Sequence, residues 1–214
     1  MKHVITIDGP SGSGKGTIAK LLARKLGYSY LDTGALYRAV AWQTDQHKID
    51  IENEKALDDM LKKIHITFEN EQILVDGQDI SSEIRTAEIS ELSSRVSAKP
   101  SVRSALFDIQ RKLCLQGRVV IEGRDTGTTI CPESENKFYL DASVEERARR
   151  RFKELKINNP EMTMDKTIDD IRSRDLRDSS RESSPLRKTD DMIYVDSTGM
   201  EIDYVVTHIF DRLK

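Results

Sequence analysis

A glycine-rich loop with one lysine is the first stretch of this chain whose residue types could do chemistry. Residues 7–17 read IDGPSGSGKGT, so that Gly9, Gly14 and Lys15 match the pattern G-x-x-x-x-G-K. Glycines let successive backbone N–H groups converge on phosphate oxygens without side-chain clashes, and the lysine adds a mobile positive charge. The pattern predicts a polyphosphate site, with a chance glycine-rich turn as the alternative. Its candidate residues are Gly9, Pro10, Ser11, Gly12, Ser13, Gly14, Lys15, Gly16 and Thr17.

The sequence on both sides of this loop is what such a site requires. Residues 3–7 are an apolar run that predicts a buried strand, and apolar positions at helical spacing predict a helix over 15–26. The helix would direct its N-terminus, with its partial positive charge, at the bound phosphates. The pattern departs from its usual form at Gly16, where a hydroxyl residue is expected. Thr17 is therefore the candidate for an indirect role in holding a metal ion.

Charged residues also follow a second apolar run, where that run ends. Residues 118–123 predict a buried parallel strand, and Glu122, Arg124 and Asp125 lie at its carboxyl end. Ligands of open parallel sheets bind beyond this edge. These charges are either paired structural caps or members of a binding site.

A predicted helix after the second strand offers a further polar group. The strand covers 28–32 and the helix 34–46, and Thr33, Tyr37 and Arg38 lie close together at its start. They could line a pocket, or they could be an ordinary helix start.

The helix predicted over 164–180 changes character along one face. Its apolar stripe of Met164, Ile168 and Ile171 continues into Arg174, Asp178 and Arg181. A helix face that is expected to pack against the core therefore carries charged residues at its end. It either runs off the core into water or faces a polar cleft.

A helix predicted to end near residue 156 carries an arginine cluster. Ser143 and Glu146 match a capping box at its start, and Arg147, Arg150 and Arg151 share one face. Such a face is either solvated or able to close on a phosphoryl group during its transfer.

The remaining elements predict an α/β protein with a small β insert. Apolar runs at 137–141 and 192–196 predict two more strands, and residues 65–80 predict short strands with turns at Asn70–Glu71 and Asp76–Gly77. Alternation of strands and helices favours a parallel sheet covered on both faces. The further predicted helices cover 53–63, 86–97, 101–116 and 200–213.

Composition narrows the classes of protein. The 214 residues are 37% hydrophobic and 33% charged, with a net charge of −3, which is typical of a soluble globular chain and not of a general polyanion binder. There is no apolar run of membrane length, and we expect no signal peptide. Cys114 and Cys131 fit no metal or redox spacing, so we expect a cytoplasmic protein. A GTP switch is not favoured, because N-K-x-D is absent and the D-x-x-G match at 196–199 is a common short pattern.

Six stretches, in order along nearly the whole chain, resemble the bacterial cytidylate kinases, which are CMP and dCMP kinases of the nucleoside-monophosphate kinase group. These stretches are ITIDGPSGSGKGT, LDTGALYR, SSEIRTAEIS, VIEGRDTGT, FYLDAS with ERARRR, and RDLRDSSRESSPL. The resemblance implies a P-loop kinase with a five-stranded parallel sheet of order 2-3-1-4-5, flanking helices, a small antiparallel insert and a helical lid. It implies a core of residues 1–62 and 100–214, an insert of residues 63–99 that binds the monophosphate, and a lid at about 147–163.

The same resemblance implies roles for matching positions. Residues 9–17 would hold the phosphates of ATP, with Mg²⁺ as the companion ion. The acceptor CMP or dCMP would be bound at its phosphate, cytosine and sugar by Thr33, Tyr37, Arg38, Ser94, Arg103, Arg124, Asp125, Arg174, Asp178 and Arg181. The residues acting on the transferring phosphoryl group would be Lys15, Arg124, Arg150, Arg151 and Arg181, with Arg147 in or near the lid.

The activity implied is ATP-dependent phosphorylation of CMP and dCMP by direct in-line transfer. Two other hypotheses stay open at this point. The first is a kinase for another small acceptor such as UMP, AMP or a metabolite, and the second is a P-loop protein that binds nucleic acid or a regulatory partner. The acidic balance and the lack of interleaved aromatic residues count against nucleic acid. We expect a monomer that binds neither nucleic acid nor a membrane.

The P-loop interpretation gives one prediction about Lys15. Lys15→Ala should lower turnover by about 10²-fold or more without unfolding the protein, because it removes one preorganised charge from the transition state. Steady-state turnover and circular dichroism of the variant would measure this. Near-normal turnover in a folded variant would remove the loop from the mechanism.

Overall fold

The structure is a computed structural model that describes residues 1, 3–69, 72–158 and 160–214. The chain forms two compact units. The first consists of Met1–Tyr30 and Leu113–Lys214, and the second of Leu31–Lys112. The predicted insert, residues 63–99, falls inside the second unit.

Eight strands are described. They are β1 (Val4–Asp8), β2 (Ser29–Asp32), β3 (Ile66–Glu69), β4 (Gln72–Val75), β5 (Gln78–Asp79), β6 (Val119–Gly123), β7 (Asn136–Asp141) and β8 (Ile193–Asp196). Eight α-helices accompany them. They are α1 (Lys15–Leu26), α2 (Thr33–Gln46), α3 (Glu54–Leu61), α4 (Ala87–Val96), α5 (Pro100–Gln116), α6 (Val144–Asn158), α7 (Met164–Ser180) and α8 (Ile202–Phe210).

The larger sheet has five strands in the order β2-β6-β1-β7-β8. Numbered among themselves, these strands follow the order 2-3-1-4-5, so the prediction from the resemblance is confirmed. The central strand β1 pairs in parallel with β6 on one side and β7 on the other. All five of its residues are buried, because helices cover both faces of the sheet centre.

Alternate residues of the central strands pack into the core of the first unit. Ile5, Ile7, Phe138 and Leu140 from β1 and β7 are in one cluster with buried residues of α1 and α8. The contributing helix residues include Ile18, Leu22, Val205 and Ile209. This packing fixes where β1 ends, and therefore where the glycine loop begins.

The second unit holds a three-stranded antiparallel sheet of order β3-β4-β5. The predicted β insert is therefore confirmed. Its second turn is at Asp76–Gly77, where φ is 49° and 84°. Two successive residues with positive φ suit the tight turn that joins twisted antiparallel strands. The other predicted turn, Asn70–Glu71, lies outside the described residues.

A buried carboxylate joins β1 to the segment after β6. Asp8 accepts hydrogen bonds from Thr126 N, Thr126 Oγ1 and Gly127 N, each at 2.8 Å. Thr126–Ile130 is a short π-helix that the sequence did not predict, and Asp8 holds its first amides. Position 127 must be glycine, because a Cβ there would lie 2.8 Å from Thr6 Oγ1 and 3.0 Å from Met192 Cε. Complete burial raises the pKa of Asp8 to about 6; nearby Asp125 adds to the increase, and the three hydrogen bonds oppose it.

The two cysteines are joined. Cys114 and Cys131 form a disulfide with a Cα–Cα distance of 6.4 Å, and both are buried. The bond links the last turn of α5 to the residue that follows the π-helix. Their spacing of 17 residues matches no known motif, and the convergence of two elements in space brings them together.

In the described parts of the chain, no helix combines the length and the apolar character needed to cross a membrane.

The environment of Asp8 predicts how stability depends on pH. Its carboxyl has a pKa of about 6 in the folded protein against a reference value of 3.8, so the folded state holds the extra proton between these pH values. The contribution of Asp8 to the free energy of unfolding should therefore fall as pH rises from 4 to 7, and level off above. Urea unfolding of the wild type and Asp8→Asn at several pH values would measure this difference.

Asp196→Asn is the matched control for that experiment. Bonds from the Thr198 side chain and backbone lower the pKa of Asp196 below 3.8, so its contribution should be constant above pH 4.5. Parallel stability profiles for the wild type and Asp8→Asn would contradict the prediction.

Candidate functional site

The glycine loop is partly buried and is held in shape by contacts with other segments. Ser11, Ser13 and Lys15 are all buried. The Lys15 Nζ donates to the carbonyl oxygen of Pro10 at 3.1 Å, and Ser13 N donates to the same oxygen at 3.4 Å. The Ser13 hydroxyl oxygen has no hydrogen-bond partner among the described residues, which leaves it able to bind a ligand.

Glu122 faces the lysine of this loop. Its Oε2 lies 4.0 Å from Lys15 Nζ, and both side chains are about nine-tenths buried. A Cβ built on Gly16 would lie 3.3 Å from Glu122 Oε1. The Glu122 carboxylate thus takes the space into which the usual hydroxyl residue at position 16 would project. The sequence pointed to Glu122 as a charge at a strand end but assigned it no role.

A network of buried charges lies beyond β6. Arg124 Nε donates to Asp178 Oδ2 at 2.7 Å, and Arg181 NH1 lies 3.7 Å from Asp178 Oδ1. Arg181 NH2 lies 3.5 Å from Asp125 Oδ1. The charged continuation of the α7 stripe is therefore buried among charges and does not run off into water. Arg174, on the same helix, is half-buried.

Asp178 and Arg124 keep each other in the charged form. Burial alone would raise the pKa of Asp178, but the positive charges of Arg124 and Arg181 keep it below its usual value. Burial disfavours the charge on Arg124, but Asp178 raises the pKa of that guanidinium above its ordinary range. The cluster is thus a fixed set of charges, as required of a site that orients a charged ligand.

The three arginines of α6 that the sequence analysis selected, among the four on this helix, have different environments. Arg147 is buried and donates to the carbonyl oxygens of Ala142 at 2.9 Å and Ser11 at 3.0 Å. It is therefore not part of a solvated face. Arg151 is about one-quarter exposed and pairs with Glu154 at 2.9 Å.

Arg150 lies against the glycine loop. Its NH1 donates to the Ser13 carbonyl at 3.1 Å, and its NH2 donates to the Ser197 carbonyl at 2.8 Å. Its Nε donates to Glu146 at 2.9 Å. Only half of the predicted capping box forms: Ser143 Oγ accepts from Glu146 N at 3.3 Å, while the Glu146 carboxylate binds arginines. Hydrogen bonds from Arg149 and Arg150 lower the pKa of Glu146 to about 2.

A cavity of about 440 Å³ opens beside the loop within the first unit. Gly12, Ser13, Gly14 and Thr17 form one side of it. Thr17 therefore faces this cavity, whereas the Glu122 carboxylate lies against Gly16. The opposite side includes residues that sequence reasoning did not select: Ser197, Gly199, Met200, Ile202 and Val205. For Ser197 and Gly199 the sequence signal was the D-x-x-G match at 196–199, which begins at the last residue of β8. The sequence analysis found no signal for Met200, Ile202 or Val205.

The second unit holds five of the predicted residues. Asp32 caps α2 by accepting from Ala35 N at 3.0 Å, and its other oxygen accepts from Arg38 NH2 at 2.6 Å. Thr33 and Tyr37 are buried on the same helix. The Arg103 guanidinium lies over the Tyr37 ring, 5.4 Å from its centroid, and NH1 donates to the Ser97 carbonyl at 3.2 Å.

Ser94 is the last of these five. Its Oγ is buried and has no hydrogen-bond partner in the part of the chain that the structure describes. A buried hydroxyl of this kind is costly unless a ligand or water satisfies it.

Side chains alone offer no complete metal site. Within residues 1, 3–69, 72–158 and 160–214, no group of three or more His, Cys, Asp or Glu side chains is arranged to hold a metal ion. A single carboxylate beside a lysine, as at Glu122, fits Mg²⁺ that is held mainly by phosphate oxygens and water.

Comparisons with known proteins identify the family of this chain. The model of the cytidylate kinase family matches residues 5–214. A cytidylate kinase of Carboxydothermus hydrogenoformans is 44% identical over 211 residues, covering 97% of this chain and 95% of the relative. One of Geobacter sulfurreducens is 44% identical over 215 residues, covering 99% and 91%.

Among solved structures, an uncharacterized protein from Eubacterium ventriosum has a TM-score of 0.55 at 12% identity, covering 100% of this chain and 98% of that one. This likeness supports the fold alone. The matches in sequence run through both units and include the loop, the β6 edge and α7. The chain belongs to the cytidylate kinase family.

Proposed function

We propose that this protein transfers the γ-phosphoryl group of ATP to CMP and dCMP, producing ADP with CDP or dCDP. The observation that carries this proposal is the family match over residues 5–214. The charged cluster beyond β6, next to a P-loop lysine, supplies the chemistry that the reaction needs.

Phosphoryl transfer depends on positioning and on charge neutralisation, with little covalent work for the protein. Loop amides and Lys15 hold the β- and γ-phosphates of ATP. Arg124 and Arg181 offset charge on the acceptor phosphate and on the group in transit. That phosphate is already an anion, so its attack requires no strong general base.

Mg²⁺ neutralises charge on the β- and γ-phosphate oxygens when it is bound. Glu122, whose carboxylate lies beside Lys15, would help to hold it. We keep Thr17 as a second, indirect candidate, although it lines the cavity on the other side of the loop.

The acceptor residues fall into groups by the part of CMP that they bind. Asp125, Arg103 and Ser94 read the cytosine, and Thr33, Tyr37 and Arg38 bind the phosphate and flank the ring. Arg174, Asp178 and Arg181 bind the sugar and orient the phosphates. The buried, unsatisfied Ser94 hydroxyl supports a ligand in the second unit.

We also propose that residues 147–163 act as a lid that is anchored to the glycine loop at its first residue, Arg147. Arg150 or Arg151 would reach the phosphoryl group when both substrates are present, which favours transfer to CMP over transfer to water. The segment comprises most of α6 and its connection to α7, although Asn159 lies outside the described residues.

We further propose that the protein acts as a cytoplasmic monomer without a nucleic-acid partner. Its substrates are metabolites of the cytoplasm, and its net charge of −3 does not favour a polyanion. The Cys114–Cys131 disulfide counts against a cytoplasmic location, because disulfides are rare in that compartment. We give more weight to the substrates, which are cytoplasmic metabolites.

The choice of acceptor tests the function. Cytosine presents an amino donor to Asp125, whereas uracil presents a carbonyl oxygen that a carboxylate repels. We expect CMP and dCMP to be preferred over UMP, AMP and GMP in an ADP-release assay. Asp125→Asn should narrow the CMP-to-UMP ratio of kcat/KM by about tenfold or more, since an amide can donate to uracil.

Asp211→Asn, an exposed change in the same unit, should leave that ratio unaltered. Equal use of UMP or AMP by the wild type would refute the function. Undiminished discrimination in Asp125→Asn would place the base-reading residue elsewhere.

The Asp178 cluster gives a second prediction. Asp178→Asn should raise KM for CMP by about tenfold or more and change KM for ATP little, since a charged hydrogen-bond acceptor is lost on the acceptor side. Its effect should be non-additive with Arg124→Gln, because the two groups are in contact. Steady-state kinetics of the two single variants and the double variant measure this coupling.

Ser180→Ala, exposed at the end of the same helix, serves as the control. A defect confined to ATP, or additive effects in the double variant, would argue against the assignment of Asp178 to the acceptor.

A further inference from the structure

A closed ring of hydrogen bonds holds the backbone of Ser11 in the phosphate loop. Ser11 N donates to Asp175 Oδ1 at 3.2 Å. The other oxygen of Asp175 accepts from Arg147 NH1, and that same NH1 donates to the Ser11 carbonyl at 3.0 Å. A carboxylate on α7 and a guanidinium on α6 thus bind both backbone polar groups of a single loop residue.

This ring determines where neighbouring amides point. In a trans peptide, the C=O of one residue and the N–H of the next point in opposite directions. Because Arg147 holds the Ser11 carbonyl toward α6, the N–H of Gly12 points away from α6. Arg150 holds the Ser13 carbonyl in the same manner, at 3.1 Å, so the N–H of Gly14 is also directed away from α6.

The ring also limits the phosphate site at its first residue. The Ser11 N–H already binds the Asp175 carboxylate, so the bound polyphosphate must use later amides of the loop. Arg147 neutralises this carboxylate at the point where it lies close to the loop, which reduces the repulsion that an unpaired anion would exert on ATP.

Packing at Gly12 keeps the ring closed. Gly12 has φ of +76°, and a Cβ there would lie 2.9 Å from the Arg147 carbonyl oxygen. The loop therefore lies directly on the backbone of α6 at the residue that supplies the guanidinium. Asp175 approaches from α7, where it lies between Arg174 and Asp178 in sequence.

We infer that Asp175 is a positioning residue for ATP, acting with Arg147 through the backbone of Ser11. Asp175 does not touch the reacting atoms. Its role is to keep the loop amides preorganised before ATP arrives, so that no reordering of the loop is needed on binding. This inference rests on the proposed function for the identity of the nucleotide.

The variant Asp175→Asn tests the inference, because the direction of the change in ATP affinity distinguishes the two explanations. The amide retains an acceptor for Ser11 N but presents N–H groups to Arg147, which opens the ring. We expect the Kd and KM for ATP to rise about tenfold or more, with KM for CMP within about twofold of the wild type. If Asp175 were only an unfavourable charge near ATP, the same variant would bind ATP more tightly.

ATP affinity is measured by calorimetry without an acceptor, and both KM values by ADP release. Arg147→Lys is the second variant: it keeps the charge but has no fork to bind Asp175 and Ser11 together. We expect it to weaken ATP binding to a similar degree and to be non-additive with Asp175→Asn. It also provides the decisive measurement if Asp175→Asn does not fold.

Asp170→Asn, an exposed change on the same helix, is the matched control. It should leave the Kd for ATP, the KM for ATP and the KM for CMP unchanged. An ATP affinity that is unaltered or increased in folded Asp175→Asn, or in Arg147→Lys, would overturn the positioning role. A wild type that binds ATP but does not phosphorylate CMP would instead overturn the proposed function, and the calorimetric comparison would still decide the role of Asp175.

Discussion

Burying charge at the carboxyl edge of a sheet is costly unless each charge is paired, and this constraint shapes the first unit. Asp8 is satisfied by two amides and a hydroxyl of the π-helix segment, and Asp178 by Arg124 and Arg181. Glu122 lies against Lys15. These pairings draw the P-loop, the segment after β6 and α7 to one place, so the elements of the candidate site are also those that satisfy buried charge.

The architecture could be predicted because it follows from local patterns. Apolar runs marked the buried strands, and the loop between a strand and a helix marked the edge where ligands bind. The stripe on α7 also carried a correct signal, since Ile171 is buried in the core and Asp178 among charges. The strand order and the identity of the family came from a resemblance that covers nearly the whole chain, and not from periodicity.

Contacts between distant segments had no such signal. Arg147 shares a helix face with Arg150 and Arg151, but the sequence does not reveal that Asp175 and Ser11 lie against it. The π-helix at 126–130 depends on Asp8, which precedes it by more than a hundred residues. The disulfide likewise depends on where α5 ends in space. Helix and strand patterns report local periodicity, and these features are set by tertiary contacts.

The close approach of Gly16 to Glu122 links the sizes of two positions far apart in the sequence. Only 3.3 Å separates Glu122 Oε1 from the place where a Cβ at position 16 would lie, so a larger residue there would push the carboxylate away by at least a few tenths of an ångström. A chain with the common serine or threonine after its lysine would fit best with a shorter acid, such as aspartate, at the end of this strand. In this chain, a residue larger than glycine at position 16 therefore requires a shorter acid, or a shifted carboxylate, at position 122.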